Sequence, residues 1–300
     1  MTEQNTRLGI LLMVATTFVF ALQDGISRHL AGSYNVFMVV MIRYWFFAAF
    51  VIVVTARRPG GIRRALKPRF PLLQSLRGTL LVVEIWVMVL GFVHLGLVEA
   101  HAVFTCYPLL VSALSGPVLG ESVGWRRWAA AGVGFLGVLI ILEPGVSVFS
   151  PWALAPLSAA LGFALYSLLT RYVARADSAS VSFFWTGTVG AVIATAVGLF
   201  FWQPMSGPDW GWMALLCVTA AFGHFLLIRA YEVAEASSVQ PFAYFQLIFA
   251  SMIGITVFGD LLQVNVVIGA AIVVGAGLFT LWRAQVKTRR ERRASAVAAK

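Results

Sequence analysis

Acids and bases are scarce in this sequence, and several stand inside long apolar runs, among them Asp24, Arg43, Glu84, His101 and His224. A charge in a hydrocarbon setting is costly, so each such group raises a functional hypothesis. Helical rise puts Asp24 roughly 24 Å and Arg43 roughly 10 Å from the start of their runs. If successive runs alternate in direction, the two share one depth and can pair. Such a pair is either a salt bridge joining two helices, or a gate and anchor for a zwitterion. Glu84 lies roughly 18 Å into its run, near the middle, with Arg77 two turns away on the same face. It is either a silent neutral acid or a group that binds an ammonium or exchanges a proton. His101 and His224 are either packing residues or proton carriers. Trp86, Tyr107, Trp185 and Tyr244, with Gln246 as a polar contact, suit a pocket that is mostly apolar with few polar groups. The plainer reading of such aromatics is helix packing or lipid contact.

The elements that must position these groups follow from composition. Of 300 residues, 60% are apolar and 11% charged, with a mean hydropathy of +0.87. A soluble domain carries about a quarter charged residues. Water-soluble enzymes, disordered chains and disulfide-rich modules are therefore excluded, and an all-α polytopic membrane protein remains. Ten apolar runs are expected as transmembrane helices, at 8–29, 36–56, 71–93, 99–119, 127–143, 151–173, 179–202, 209–230, 238–259 and 264–283. Turn-forming clusters such as Arg57-Arg58-Pro59-Gly60-Gly61 and Glu143-Pro144-Gly145 separate them. The first run lacks a cleavage site and reads as a retained helix. Pro108, Pro117, Pro156 and Pro241 interrupt runs and allow bending. Cys106 and Cys217 read as small core residues.

Ten alternating spans place 19 of the 22 Lys and Arg residues on one side, against Arg28 alone on the other. Positive charge collects in cytoplasmic loops, so both termini are expected in the cytoplasm, with the protein in a bacterial inner membrane. The +10 net charge is then a topology signal and not a nucleic-acid footprint. The basic residues 286–300 form a tail at the membrane surface.

The two halves repeat. Phe20-Ala21-Leu22 followed five residues later by Arg28 returns as Phe163-Ala164-Leu165 and Arg171, and Gly120-Glu121 returns as Gly259-Asp260. Five spans per copy is an odd number, so the second copy must be inverted. Residues 1–145 and 146–285 are the expected repeats, with a site between them near the midplane. This five-plus-five pattern, the Gly-Glu and Gly-Asp pairs closing the fourth span of each half, Arg43 early in span two and Pro108 in span four together resemble the drug/metabolite transporter superfamily, EamA type. Within it the chain is most similar to bacterial exporters of the YddG type. The resemblance implies a ten-helix inverted-repeat basket around a cavity lined by spans 1, 3, 4, 6, 8 and 9. It further implies export of neutral or aromatic amino acids or related metabolites. The second half departs from the pattern, with Gly187 near the position of Arg43 and Leu247 at that of Pro108.

No GxxxxGK[ST] loop, HExxH motif or nucleophile–base arrangement stands in a span, so neither an ATP-driven pump nor an enzyme is expected. The expectation is a secondary carrier without catalytic residues, metal or cofactor. Its substrate is a small molecule, with protons as a possible coupling ion and no oligomer required. Alternatives are an exporter of drugs, amines or nucleoside-like metabolites, then a channel, then an intramembrane enzyme.

Overall fold

The computed structural model describes residues 6–58, 60–120, 124–142, 152, 154–234 and 240–298. The described residues are helical, without strands. Helix α1 is Thr6–Ser33 and α2 is Val36–Ala56, followed by the short α3, Gly61–Ala65. Next come α4 (Pro71–Leu95), α5 (Leu97–Phe104), α6 (Tyr107–Leu119) and α7 (Trp125–Leu142). The second half holds α8 (Leu154–Val173), α9 (Ala179–Gly198), α10 (Gly207–Val233), α11 (Phe245–Phe258) and α12 (Val264–Ala298). Starts are fixed by ordinary caps: Asn35 Oδ1 accepts from Phe37 N at 2.9 Å, and Ser206 Oγ accepts from Asp209 N at 3.4 Å.

Where their residues are described, the expected runs lie largely on these helices; residues 143, 151, 153, 238 and 239 of those runs lie outside the described residues. Six are long and apolar enough to cross a bilayer. The run expected at 99–119 is interrupted: α5 ends at Phe104 and α6 starts at Tyr107 with Pro108, which offers no N–H to continue α5. The stretches Leu97–Val111 and Ala113–Leu119 meet at 45°. Three further apolar helices are shorter, Trp128–Leu142, Phe242–Phe258 and Val264–Thr280. Large apolar side chains such as Phe18, Leu136, Val192 and Phe222 point outward and exposed along these helices. That face requires lipid as its solvent, and the chain is an all-α membrane protein.

The helices pair in an ordered way. α1 packs on α10 as α4 packs on α8, and α1 packs on α11 as α8 packs on α6. α2 lies against α9, and α7 against α12. At the last crossing Gly137 and Gly269 meet backbone to backbone: a Cβ on Gly137 would stand 2.7 Å from the Gly269 carbonyl oxygen. Small residues let those two helices touch. Gly120 does different work from the helix contact its spacing from Gly116 suggests. It ends α6 in the left-handed region at φ +71°, and a Cβ there would meet nothing.

Candidate functional site

Five residues singled out from the sequence come together where α1, α5, α6 and α11 meet. His101 on α5 is 2% exposed, with its ring stacked on Phe92 at 4.9 Å. Its Nε2 lies 3.1 Å from Asp24 Oδ2 on α1. The same oxygen accepts from Gln246 Nε2 at 3.0 Å, from the first turn of α11. His101, Gln246, Tyr107 and Tyr244 line a small hollow, with an accessible volume of about 10 Å³, together with Phe104, Pro108 and Leu247. Pro108 and Leu247, which the repeat equates, thus line one space from opposite halves. Phe104, Tyr107 and Phe163 form a ring cluster beside it, with centroids 4.9–5.7 Å apart.

A second group of sequence-selected residues is buried beside the first. Arg43 is 6% and Glu84 7% exposed. Among the described residues neither makes a hydrogen bond or an ion pair. Neither is among the sealed polar atoms that lack a partner. Their charged ends therefore reach accessible space inside the bundle. Glu84 lies within electrostatic reach of Arg43 and Asp24, and His224 within reach of the same two. His224 points its Nδ1 at the Ala220 carbonyl at 2.9 Å, with its ring against Phe20 at 5.1 Å and Phe47 at 5.6 Å.

Three expectations are corrected by this geometry. Asp24 does not pair with Arg43; it is held by His101 of α5 and Gln246 of α11, the helix that packs along α1. Trp86 faces away from the hollow and packs edge-on to Phe37 at 5.1 Å, since two residues along a helix from Glu84 turn it to another side. Trp185 donates its indole N–H to the Ala65 carbonyl at 2.8 Å and pins α3 to α9.

Two polar clusters escaped the sequence reading of the site. Asp260, placed by the αL turn at Gly259, receives Arg28 Nη1 on both oxygens at 2.7 and 2.9 Å. It also accepts from Leu97 N at 2.7 Å and Val98 N at 3.4 Å, capping α5. Arg28 lies 4.3 Å over the Phe258 ring. Gly96 has φ +86°, and a Cβ there would collide with the Asp260 carboxylate. This clasp joins α1, α5 and the end of α11; its signal was present, since Arg28 and Asp260 are both repeat markers. The second cluster is centred on Arg77. It donates to Gln74 Oε1 at 2.8 Å, to Tyr166 and Thr170 at 3.3 and 3.2 Å, and to the Ser182 carbonyl. Gln74 passes the contact on to Asp177 at 3.0 Å, so a neutral amide links the buried cation to its carboxylate.

Comparison with known proteins agrees with these features. Residues 7–143 match the EamA-like transporter family. Over 274 residues the chain is 25% identical to an S-adenosylmethionine uptake transporter of Rickettsia prowazekii, covering 91% of this chain and 92% of that protein. It is 29% identical to a riboflavin transporter of Vibrio cholerae, covering 95% and 96%. It is 22% identical to the pseudopaline exporter CntI of Pseudomonas aeruginosa, covering 89% and 94%. A solved crystal structure with 19% identity superposes with a TM-score of 0.60, covering 95% of this chain and 97% of that one.

Proposed function

We propose that the chain, whose residues 7–143 match the EamA-like transporter family and whose relatives are named as transporters, is a secondary carrier in which two inverted five-helix repeats, 1–145 and 146–285, close alternately around the central hollow. The carrying observation is the composition of that hollow. Its wall draws on both halves, and the exchange of packing partners between α1–α10 and α4–α8 supports a two-fold relation across it. Inverted repeats that rock about a midplane site give access first to one face and then to the other. The skew of positive charge supports cytoplasmic termini and residence in an inner membrane, with 286–300 a basic tail at its surface.

The substrate carries an α-amino carboxylate. Arg43 is free to receive the carboxylate, while Glu84 and Asp24 oppose it with negative charge for the ammonium. Two relatives named for S-adenosylmethionine and pseudopaline are compatible with that chemistry. A flat heteroaromatic substrate is the second reading, favoured by the Phe104, Tyr107 and Phe163 rings and by the relative named for riboflavin. The two tryptophans expected to grip an aromatic side chain lie elsewhere, so nothing in the hollow favours aromatic amino acids over others. A reversible carrier takes its direction from the gradients across it, and export and uptake are both open to the same cycle.

The test is counterflow in liposomes containing the purified protein, with labelled S-adenosylmethionine, L-methionine, L-tryptophan and riboflavin as probes. Saturable counterflow of at least one probe is expected. Arg43→Gln should abolish it for the amino-carboxylate probes and spare riboflavin. Single-channel currents in place of saturable exchange would contradict the carrier reading.

A further inference from the structure

Counting the protons at His101 leads beyond the carrier reading. The ring Nδ1 lies 3.1 Å from the Leu97 carbonyl oxygen, an atom that only accepts. The ring Nε2 lies 3.1 Å from Asp24 Oδ2, and that oxygen also accepts the Gln246 N–H at 3.0 Å. A neutral imidazole has one N–H, and a carboxylate has none. The arrangement is satisfied only when the pair holds two protons, one on Nδ1 and one between Nε2 and Oδ2. With one proton fewer, a lone pair faces a lone pair, either across the Asp24 contact or, after a tautomer change, at Leu97. The His101 side chain is 2% and that of Asp24 13% exposed, so little water stands at the contact to relieve that conflict.

We propose that this second proton is a ligand of the Asp24–His101 pair, bound from water through the hollow, and that while bound it clasps α1 to α5. The assignment deepens the carrier reading and rests on it for its role in transport. His101 and Gln246 both line the hollow, so the proton has a route. The chemistry is proton transfer alone. On arrival, hydronium gives H⁺ to the pair and leaves as water, and one hydrogen bond forms between Nε2 and Oδ2. On departure that bond breaks and water takes H⁺ back. Losing it sets lone pair against lone pair between α1 and α5, while Gln246 still ties α11 of the second half to the same oxygen. Proton binding therefore favours the clasped wall, and opening the wall releases the proton, as linkage requires.

Other groups around the pair set the field in which it works. Glu84 on α4 and His224 on α10 lie within electrostatic reach of Asp24, and Arg43 on α2 within reach of both. Along α1, Arg28 is neutralised by Asp260 and His29 faces Asp209 of α10 at 3.7 Å. Around α5 stand Glu99, bonded to Gln263 at 3.3 Å, and Cys106, while Tyr107 and Tyr244 share the hollow.

Two measurements test this together. Hydrogen–deuterium exchange of the full chain in lipid nanodiscs, corrected for intrinsic rates, reads the clasp without any substrate. Amides in 20–30 and 97–105 should open about tenfold more readily at pH 8.5 than at pH 5.5, the loss of one charge-assisted hydrogen bond. His101→Gln keeps an N–H for Asp24 and cannot titrate, so its exchange should not change with pH; Asp24→Asn should likewise lose the dependence. Wild-type protein indifferent to pH, or His101→Gln as sensitive as wild type, would overturn the proposal. The second measurement is liposome uptake of the four probes above with and without an imposed pH gradient. Gradient-driven accumulation by wild type that disappears in His101→Gln supports the coupling. Accumulation that persists in the variant, or wild-type uptake blind to the gradient, refutes it. If no probe moves while the exchange result holds, it is the carrier reading that fails.

Discussion

Removing Asp260 should unlock more of the protein than removing its partner. The carboxylate accepts two bonds from Arg28 and two from the first N–H groups of α5, with side-chain exposures of 17% for Arg28 and 10% for Asp260. Asp260→Ala leaves a guanidinium without its counter-ion and strips the α5 cap. Breaking one side of a buried pair costs about 3–5 kcal/mol, and the water that Arg28 retains places this case near 3. Arg28→Ala leaves Asp260 still bonded to two backbone N–H groups at a helix N-terminus, so about 2 kcal/mol is expected, the worth of charge-assisted hydrogen bonds. The double variant loses the pair together and should cost about 3 kcal/mol, not the sum of about 5. The interaction is then about 2 kcal/mol, within the range of directly bonded neighbours. Unfolding free energies in mixed micelles titrated with SDS, followed by tryptophan fluorescence, measure all four corners of the cycle. Additivity within about 0.5 kcal/mol would refute the reasoning, because it would mean the two side chains act independently.

Other expected outcomes concern packing and polar burial. Gly137→Val should destabilise by about 1–3 kcal/mol or more in the same unfolding assay, because a side chain there meets the Gly269 carbonyl and not a movable side chain. Trp86→Phe should leave counterflow unchanged and stability within about 1 kcal/mol of wild type, since it removes a buried indole N–H that has no partner. Gln74→Leu should cost about 3 kcal/mol by cutting the link from Arg77 to Asp177, with Asp177→Asn in addition costing much less than on its own. Leu247→Trp should fill the hollow and lower the maximal rate of counterflow without unfolding the protein, judged by its far-ultraviolet spectrum.

Much of the architecture could be read from hydropathy because a bilayer leaves the chain few options. Each apolar run had to be helical, and the described parts of the runs are almost wholly so. The broken α5–α6 pair was half legible: Pro108 announced a bend, but not that the bend would turn His101 toward Asp24. That contact depends on where the Asp260 clasp anchors α5, a relation between residues 163 positions apart. Depth arithmetic singled out Asp24, Arg43, Glu84 and His101, because charge at that depth is rare. It chose the wrong partner for Asp24 because depth fixes only one coordinate; the angle around each helix axis comes from packing. Trp86 and Trp185 went astray for the same reason. The Arg28–Asp260 clasp was visible twice, as a repeated Arg and a repeated acidic residue, but sequence matching does not show that the two markers meet.

The proposed cycle, in which the hollow opens to each face of the membrane in turn, is the centre of this account. Its most direct test is a single cysteine at Leu247, with Cys106 and Cys217 replaced by serine, probed by a membrane-impermeant thiol reagent applied to one face at a time. The account predicts modification from both faces, with the balance shifted by a transported probe. Modification from neither face, or from one face alone under every condition, would contradict it.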